Sequence, residues 1–519
     1  MIKFSKNIID NEKIYSFFEF VAKMLFLLYA MLSFNSVFYG HKIVSYVMWP
    51  ALLLCAIVIG WRVLKFKCYY KMPGLISMIL FMCSHIVSSL VFKDYGFKDN
   101  IVLAIYFCIY FLLFYVNSQE KDYSKIKKEF TVISVFYILF AVVTSVISVY
   151  MLVTGYFNRE LVGSDNYEVI SGFLWGRLWG VFLEPSRASL IMMLAIALLV
   201  YLFINYKNVV VRILCVICII PMFIYIVFSD SRTAIVSIFC AVFAGMVVYL
   251  FSQPPKKVGE TLINILISLV LPICIAALPL ITKNVYNDYA SSLNNKDDIV
   301  VESTTEAPTE APTEAPTEAP TEAPIEAPTE APTEAQTEAQ TEAQTEVSAD
   351  TVVDLPEIER NYNLSGDISN RRFDIWKSGF EFFMENPVIG TSFNAIRPYA
   401  MENMPELYII NNDYALIANF HNEVVNVIAS QGIVGTIIFI WMIVSIAICF
   451  IRNFRKFESF DKKNFAVIFA GVVGIVAGAM FNSSMLYSFT ASVPMFWLCL
   501  GYLVMICKKT ENKDDLNGK

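Results

Sequence analysis

Residues 209–251 read VVVRILCVICIIPMFIYIVF, SDSR and TAIVSIFCAVFAGMVVYLF, two apolar runs that are separated only by the polar residues Ser229–Arg232. Each run has about the 20 residues that an α-helix needs to cross the hydrocarbon core of a bilayer. A polar break this short leaves room for only a tight turn between the two helices. The stretch therefore predicts a helical hairpin that crosses a membrane twice.

The rest of the chain has the same character. Hydrophobic residues make up 57% of the 519 residues and charged residues 16%, and the mean hydropathy is +0.57. Soluble domains have roughly 45–50% apolar and about 25% charged residues, so a soluble enzyme, a nucleic-acid binder and a secreted disulfide scaffold are excluded. The apolar runs predict an all-α, polytopic transmembrane bundle of about 12 spans, at 17–36, 43–61, 73–92, 100–117, 131–152, 187–205, 209–229, 233–251, 260–282, 430–451, 464–482 and 488–507.

The distribution of basic residues predicts the orientation of this bundle. If both termini are cytoplasmic, 24 Lys and Arg residues lie on the cytoplasmic side and only seven in the short loops opposite. Cytoplasmic loops of membrane proteins carry the excess of Lys and Arg. We therefore expect a multi-pass membrane protein with both termini on the cytoplasmic side and its largest loop on the opposite, extracytoplasmic side.

The predicted organisation has four parts: residues 1–282 hold helices one to nine, 283–429 form a large extracytoplasmic loop, 430–507 hold helices ten to twelve, and 508–519 form a cytoplasmic tail. Within the loop, 305–344 consist of ten four-residue units, of which six are T-E-A-P, one is I-E-A-P and three are T-E-A-Q. Such a tract has little apolar surface to bury and predicts a disordered tether. Residues 370–386 predict an amphipathic helix at the membrane surface, because Phe373, Trp376, Phe380 and Phe383 recur at helical spacing.

The basic residues on the predicted outer face are unusually rich in arginine. Arg accounts for 8 of the 14 outer basic residues, but for only 4 of the 24 inner ones. Arg offers a planar fork of donors that holds phosphate oxygens in pairs, whereas Lys is a hydrated point charge. The bias predicts an anionic ligand at the outer face.

Particular positions sharpen this prediction. Arg232 lies in the tight turn between two spans, where an arginine is costly unless it meets an anion. Arg177 and Arg187 flank the beginning of the sixth span, and Arg372 begins the amphipathic helix. His421 is the one histidine in the large loop, and a neutral imidazole can serve as a general base.

Four motifs follow one another along the predicted outer face. They are Arg177-x-x-Gly180-x-Phe182-x-Glu184-Pro185-Ser186, Ser231-Arg232-Thr233-Ala234, Arg372-x3-Trp376-x10-Pro387-x2-Gly390-x2-Phe393, and His421-Asn422 followed by Gly432-x2-Gly435. Together they resemble the bacterial O-antigen ligase and O-antigen polymerase family of membrane glycosyltransferases. The resemblance covers roughly residues 170–450 without the repeat tract, which is one departure from the family pattern. A second departure is Arg187, which leaves open whether it or Arg177 contacts the ligand.

This resemblance implies transfer of a glycan from undecaprenyl pyrophosphate at the outer leaflet to an acceptor hydroxyl, with inversion and without a metal or other cofactor. It implies that His421 is the catalytic base and that the substrate is bound by Arg177, Arg187, Arg232, Arg372, Glu184 and Asn422. The implied partners are the lipid-linked oligosaccharide, the glycan acceptor, membrane lipids and other polysaccharide-assembly proteins, with no nucleic acid.

Two activities fit this apparatus. A polymerase extends the glycan with further lipid-linked repeat units during O-antigen or capsule synthesis, whereas a ligase transfers the finished glycan to a lipid or protein. The Glu184-Pro185-Ser186 version of the first motif favours the polymerase. A polysaccharide transporter or flippase is the alternative of a different class. Such a protein is expected to carry charged residues near the bilayer midplane in both halves of the chain. The predicted spans contain almost none, since Lys23 is expected near a membrane edge. A surface adhesin or sensor would need a folded domain beyond the tether.

Overall fold

The structure is a computed structural model, and it describes residues 12–64, 69, 72–116, 122–162, 167–252, 257–302, 357–358, 371–412, 417–457 and 459–517. The predicted tether at 305–344 lies outside these residues. The chain divides into two compact units, one made of Met1–Asn284 with Ile358–Lys519 and one made of Val285–Glu357. The features below belong to the first unit.

Helices make up most of the described chain. Their bounds are α1 Glu12–Ser33, α2 Lys42–Leu64, α3 Leu75–Val91, α4 Phe97–Ile109 with a π-helical continuation at Tyr110–Tyr115, α5 Tyr123–Val153, α6 Pro185–Asn205, α7 Val209–Phe228, α8 Arg232–Phe251, α9 Val258–Glu302, α10 Arg372–Glu385, α11 Ile396–Asn403 after a 3₁₀ turn at Phe393–Ala395, α12 Glu423–Asn453, α13 Ser459–Ala479 and α14 Ser492–Asn517.

Each of the twelve predicted spans corresponds to one of these helices. Eleven helices within the described residues are long and apolar enough to cross a membrane, and α3 is a shorter apolar helix. The prediction of an all-α, polytopic protein is therefore confirmed, and the chain is a multi-pass membrane protein. The predicted amphipathic helix at 370–386 is present as α10.

A small sheet occupies the segment between α5 and α6, which the apolar pattern left without a predicted element. Its strands are β1 Phe157–Val162, β2 Tyr167–Leu174 and β3 Arg177–Gly180, and they pair antiparallel in chain order. Trp175 and Gly176 have φ values of 55° and 65° and form the two-residue turn between β2 and β3. Two positive φ values in a row are the mark of a type I′ hairpin, and this turn fixes the position of Arg177.

Buried charges, among them Lys23, form a cluster within the bundle. The Lys23 side chain is fully buried, and its Nζ lies 2.8 Å from Glu19 Oε1 and 2.8 Å from Glu129 Oε1. Arg62 Nη2 lies 2.6 Å from the same Glu19 oxygen, and Arg62 Nη1 donates to Val116 O at 2.6 Å. Two cations and two anions thus balance within the protein, and the cluster ties the π-helical end of α4 to α1, α2 and α5.

A break in α12 anchors the segment that follows α10. Gly432 has φ 62° and ψ −160°, so the helix is interrupted there. The amide of Ser392 donates to Ser430 O at 2.7 Å, and the amide of Ile433 donates to Pro387 O at 2.8 Å. Backbone groups freed by a broken helix must find partners inside a membrane protein, and residues 387–392 supply them.

Glycine is required at this break. A Cβ on Gly432 would lie 2.4 Å from Val388 O, in a conformation that side chains rarely adopt. We expect Gly432→Ala to destabilise the protein by more than about 1 kcal/mol, which would lower the midpoint of thermal unfolding in detergent. Gly60→Ala is the control, since Gly60 lies within α2 with nothing within 4 Å of its Cβ position, and Ala there should stabilise the helix by about 0.5–1 kcal/mol. Equal effects of the two changes would contradict this account.

Candidate functional site

Arg177 is held at the start of β3 by groups from two neighbouring elements. Its Nε donates to Ser229 O at 2.9 Å, and its Nη2 lies 3.4 Å from Ser186 Oγ. Gly180 lets β3 approach α5, because a Cβ there would lie 2.1 Å from Ser148 Oγ. Burial lowers the pKa of the Arg177 guanidinium, and the nearby Arg372 contributes in the same direction. Arg177 therefore joins the sheet to the turn between α7 and α8.

Glu184 caps the N-terminus of α6. Its Oε1 accepts from the Ser186 amide at 2.9 Å and its Oε2 from the Arg187 amide at 2.7 Å, as expected for a carboxylate at a helix N-terminus. Burial acts to raise the pKa of Glu184, but Arg187, Arg177 and the two amides outweigh it, and the net pKa is lowered. The carboxylate is ionised at neutral pH and holds Arg187, whose Nε is 3.8 Å from Glu184 Oε2.

Arg232 and Arg372 come together at the N-terminus of α8. Ser231 caps this helix by accepting from the Ala234 amide at 3.2 Å, and Arg232 is its first, exposed residue. Arg372 Nη2 donates to the Thr233 hydroxyl at 3.2 Å, and its guanidinium lies 5.3 Å from the centre of the Phe481 ring. Two arginines that are distant in sequence thus meet at a helix end, which favours anions.

The packing of α10 places Arg372 in this position. Ile375, Ser378, Gly379 and Phe382 are buried against the protein, and a Cβ on Gly379 would lie 2.3 Å from Val425 Cγ1 on α12. Phe373 and Phe380 are 68% and 51% exposed. The apolar face of α10 is therefore divided between contact with α12 and an exposed surface that suits a membrane interface.

His421 ends the loop before α12 in a strained backbone conformation. Its φ is 48°, and its amide donates to Asn419 Oδ1 at 2.9 Å. Asn422 is the N-cap of α12, and its Oδ1 accepts from the amides of Val424 at 2.9 Å and Val425 at 3.2 Å. The structure therefore places Asn422 as the residue that caps α12, next to His421 in the chain.

The electrostatic surroundings of His421 bring the predicted residues together. Burial, together with the nearby cations Arg187 and Arg372, lowers its pKa to about 4, against the opposing effects of Glu184 and a hydrogen bond with Asn482. The imidazole is therefore neutral at physiological pH and can accept a proton. His421, Arg372 and Glu184 come from three separate motifs, and together with Arg187 they form one candidate site, to which Arg177 and Arg232 are adjacent.

Two residues of this site are absent from the sequence prediction. Asn482 is buried between α13 and α14, where its Nδ2 donates to Glu184 Oε2 at 3.2 Å and its Oδ1 accepts from Arg187 Nε at 3.3 Å. Glu423 is fully buried, and its carboxylate accepts from the amides of the same loop, at 2.9 Å from Ser484, 3.4 Å from Met485, 2.7 Å from Leu486 and 3.0 Å from Tyr487. Glu423 thus fixes the loop that carries Asn482.

Backbone strain is concentrated at the motifs. Non-glycine residues with positive φ are uncommon, and they cluster at functional sites. Within the described ranges, each non-glycine residue with positive φ either belongs to one of the four motifs or lies one or two positions before a predicted site residue. They are Trp175, Asp230, Arg371, Ser392 and His421.

The charge of the site is positive. Asp230 is paired with Lys283, whose Nζ lies 3.0 Å from Asp230 Oδ1, and Glu184 is engaged by Arg187 and the helix amides. The arginines therefore exceed the carboxylates, and an anionic ligand is favoured over a cation. In the part of the chain that the structure describes, no three His, Cys, Asp or Glu side chains converge in a way that could hold a metal ion.

Comparison with known protein families finds a match over part of the chain. The model of the O-antigen ligase family matches residues 217–440, a range that includes Arg232, Arg372, His421 and Asn422, while Arg177, Glu184 and Arg187 precede it. No curated protein matches the chain. The family acts on lipid-linked oligosaccharides and glycan acceptors, with a glycosyltransferase-like ligase or polymerase activity. Residues 217–440 of this multi-pass membrane protein are thus similar to the O-antigen ligase family, whose members process glycans at membranes.

Proposed function

We propose that the protein polymerises lipid-linked oligosaccharide repeat units during synthesis of a surface polysaccharide. The donor is a glycan on undecaprenyl pyrophosphate, and the acceptor is a hydroxyl of another lipid-linked unit. The observation that carries this proposal is the neutral His421 beside Arg187, Arg372 and Glu184. A base next to a cluster of cations is what transfer from a pyrophosphate requires.

In the proposed reaction, His421 acts as the base and the arginines stabilise the leaving group. The unprotonated ring nitrogen of His421 accepts the proton of the acceptor hydroxyl, and the oxygen attacks the anomeric carbon of the donor sugar from the face opposite the pyrophosphate. The bond between that carbon and the phosphate oxygen breaks, and the anomeric configuration is inverted. The pyrophosphate leaves as an anion, so cations that neutralise its charge replace a general acid.

The structure supports a division of roles among the arginines. Arg177 Nε donates a hydrogen bond to Ser229 O, and its Nη2 lies near Ser186 Oγ. We therefore assign Arg177 the role of positioning the turn before α8. Arg187 faces His421 and Asn482, and Arg372 reaches Thr233 beside Arg232. We therefore propose Arg187, Arg232 and Arg372 as the residues that hold the pyrophosphate, with Glu184 and Asn422 orienting Arg187 and His421.

An apolar groove below the site suits the lipid part of the donor. It has a volume of about 590 Å³ and is lined by apolar side chains of α6, α7, α8, α9 and α13, among them Ile226, Ile238 and Leu278. Ile226 lies three residues before Ser229, and Ile238 lies six residues after Arg232. An isoprenyl chain in this groove would bring its pyrophosphate to the arginines.

The proposed orientation follows from the same chemistry. With both termini cytoplasmic, the site lies at the outer end of the bundle, where lipid-linked glycans are presented after translocation. The large loop at 283–429 then supplies α10 and His421 from the extracytoplasmic side, and 508–519 belong to the cytoplasmic side. A cysteine accessibility assay on residues 42 and 508 would test this arrangement.

The polymerase and ligase activities leave different lipid-linked products when the gene is deleted. We expect single repeat units on the lipid carrier to accumulate, because the deletion strain can still make and translocate them but cannot join them. Separation of the extracted lipid-linked glycans on a gel measures their length. Long lipid-linked chains would instead support ligase-type transfer to a lipid or protein acceptor, and unchanged glycans would contradict both activities.

The lowered pKa of His421 predicts the pH dependence of the reaction. Because the pKa is about 4, kcat/KM for the free enzyme should stay constant from neutral pH downwards and fall only near pH 4, where His421 becomes protonated. The acid limb of kcat should lie at higher pH, because bound pyrophosphate neutralises Arg187 and Arg372 and so raises the pKa in the complex. Arg187→Gln should also shift the acid limb of kcat/KM to higher pH, because it removes a cation that lowers the pKa of His421. If the acid limbs of kcat and kcat/KM both lie near pH 6.5 and do not move in Arg187→Gln, His421 is not the base.

A further inference from the structure

A second concave site lies at the same end of the bundle as His421. It is a cavity of about 160 Å³ whose lining includes Asp99, Tyr106, Phe393, Asn394, Ser488 and Phe489. Its wall shares the loop between α13 and α14 with Asn482, which contacts Glu184 and Arg187. Ser488 lies six positions after Asn482 in the chain, so the two are at most about 20 Å apart. An oligosaccharide of a few sugar residues could span that distance.

The walls of this cavity are fixed by hydrogen bonds and close packing. The Asn394 amide donates to Asn100 Oδ1 at 2.9 Å, and the hydroxyls of Ser392 and Ser89 lie 3.1 Å apart. At Gly96, where φ is 60°, a Cβ would lie 2.5 Å from Asn394 O. The opposite wall is held by Glu423 through the amides from Ser484 to Tyr487. The cavity is therefore formed before any ligand enters it, which reduces the entropic cost of binding.

The lining combines aromatic rings with groups that bind hydroxyls. Phe489 stacks on Tyr106 with ring centres 4.5 Å apart, and Phe393 stacks on Tyr487 at 4.4 Å. The exposed Asp99 supplies a carboxylate that accepts hydrogen bonds,. Ser488 is 7% exposed, and its hydroxyl has no hydrogen-bond partner among the described residues. A buried polar group without a partner is costly and calls for one from a ligand or water.

The charge of the lining distinguishes this cavity from the arginine site. Its described lining residues include the acidic Asp99 and no Lys or Arg, so an anion such as pyrophosphate is disfavoured. A sugar ring matches both kinds of surface, since its hydroxyls suit Asp99, Ser488 and Asn394 while its C–H face suits an aromatic ring. Binding sites for small molecules commonly combine an apolar wall with a few polar groups that fix orientation.

We propose that this cavity is a subsite for a sugar of the acceptor glycan, with Asp99 and Ser488 as its hydroxyl-binding residues and Phe393 as part of its aromatic wall. The proposal rests on the proposed function and adds to it the place where the acceptor is held. It separates recognition of the acceptor from recognition of the donor pyrophosphate, which belongs to the arginines.

The test uses the full-length protein in lipid nanodiscs and two soluble probes. One probe is the oligosaccharide released by mild acid from lipid-linked repeat units of the host cell, and the other is inorganic pyrophosphate. We expect Asp99→Asn and Ser488→Ala each to weaken oligosaccharide binding at least tenfold by calorimetry, equal to about 1.4 kcal/mol, without changing pyrophosphate binding. Asp94→Asn is the matched control, because Asp94 is also an exposed acidic residue between α3 and α4 but does not line the cavity.

The two probes separate the two proposals. Oligosaccharide binding that is absent from the wild type, or that is the same in Asp99→Asn, Ser488→Ala and Asp94→Asn, would overturn the acceptor subsite. Pyrophosphate binding that is absent, or that is unaffected by Arg372→Ala, would count against the donor site and the proposed function instead.

Discussion

Replacing His421 with asparagine should lower the rate of glycan transfer by about 10²–10⁴-fold, the usual contribution of a general base. Asparagine retains hydrogen-bonding capacity and tolerates the left-handed backbone conformation, which His421 adopts with φ 48°. It cannot accept the proton of the acceptor hydroxyl at neutral pH. The expected defect is therefore in kcat, with the fold and donor binding retained.

Transfer is measured with the purified variant in nanodiscs, by the length of lipid-linked glycan formed from isolated repeat units. His41→Asn is the control, since His41 is exposed and lies between α1 and α2. Thermal unfolding of both variants should match the wild type. If His421→Asn transfers glycan within a few-fold of the wild-type rate, His421 is not the base.

Replacing Arg372 with alanine should lower the transfer rate by about 10²–10³-fold, the range found when one preorganised donor to a developing anion is removed. Arg372 lies against Phe481 and donates to Thr233 next to Arg232, so its guanidinium is fixed before the pyrophosphate leaves. Its loss removes a cation that requires no reorganisation during the reaction. Arg372→Lys should recover only part of the rate, because an ammonium lacks the paired donors of a guanidinium.

Lys377→Ala is the matched control on the same helix. Its side chain is 76% exposed and lies 3.7 Å from Glu381, an arrangement worth little energy at a surface. It should transfer glycan at the wild-type rate. Equal losses in Arg372→Ala and Lys377→Ala would mean that α10 matters for stability and not for the charge of the leaving group.

The helical bundle could be predicted because lipid imposes a simple demand on sequence. A span needs a long apolar run, and the runs at 209–229 and 233–251 correspond closely to α7 and α8. The tenth span was predicted to begin at 430, whereas α12 begins at Glu423. Its first turns include four polar residues that are buried in protein, and the break at Gly432 separates these turns from the apolar run. The four are Glu423, Asn426, Ser430 and Gln431. Hydropathy reports lipid contact, so it does not detect a helix that protein covers.

The sheet was missed for a related reason. Its strands are short, and β1 is largely exposed, so no alternation of buried and exposed residues marks them. The hairpin signal is the pair Trp175-Gly176, and tryptophan is not a usual residue at positive φ. The only part of this segment that the sequence singled out was the motif that contains Arg177 and Glu184.

The arginines and His421 could be selected from the sequence as candidate site residues because charged residues at a membrane surface are costly and therefore conspicuous, and their role in the reaction stays a prediction. Asn482 and Glu423 could not, since their roles depend on contacts between distant parts of the chain. Glu423 reads as an ordinary acidic residue in the first turn of a helix, yet its partners lie 61–64 residues away. The sequence does show the polar run Asn482-Ser483-Ser484 between two apolar segments. This run indicates a loop between two spans, but it does not indicate which residues the loop contacts.

The most direct test of the central claim is release of undecaprenyl pyrophosphate by the purified protein from isolated lipid-linked repeat units. We predict that each bond formed between repeat units releases one molecule of lipid pyrophosphate, and that both products are lost together in His421→Asn and Arg372→Ala. Glycan lengthening without release of lipid pyrophosphate, or release that persists in both variants, would contradict the account.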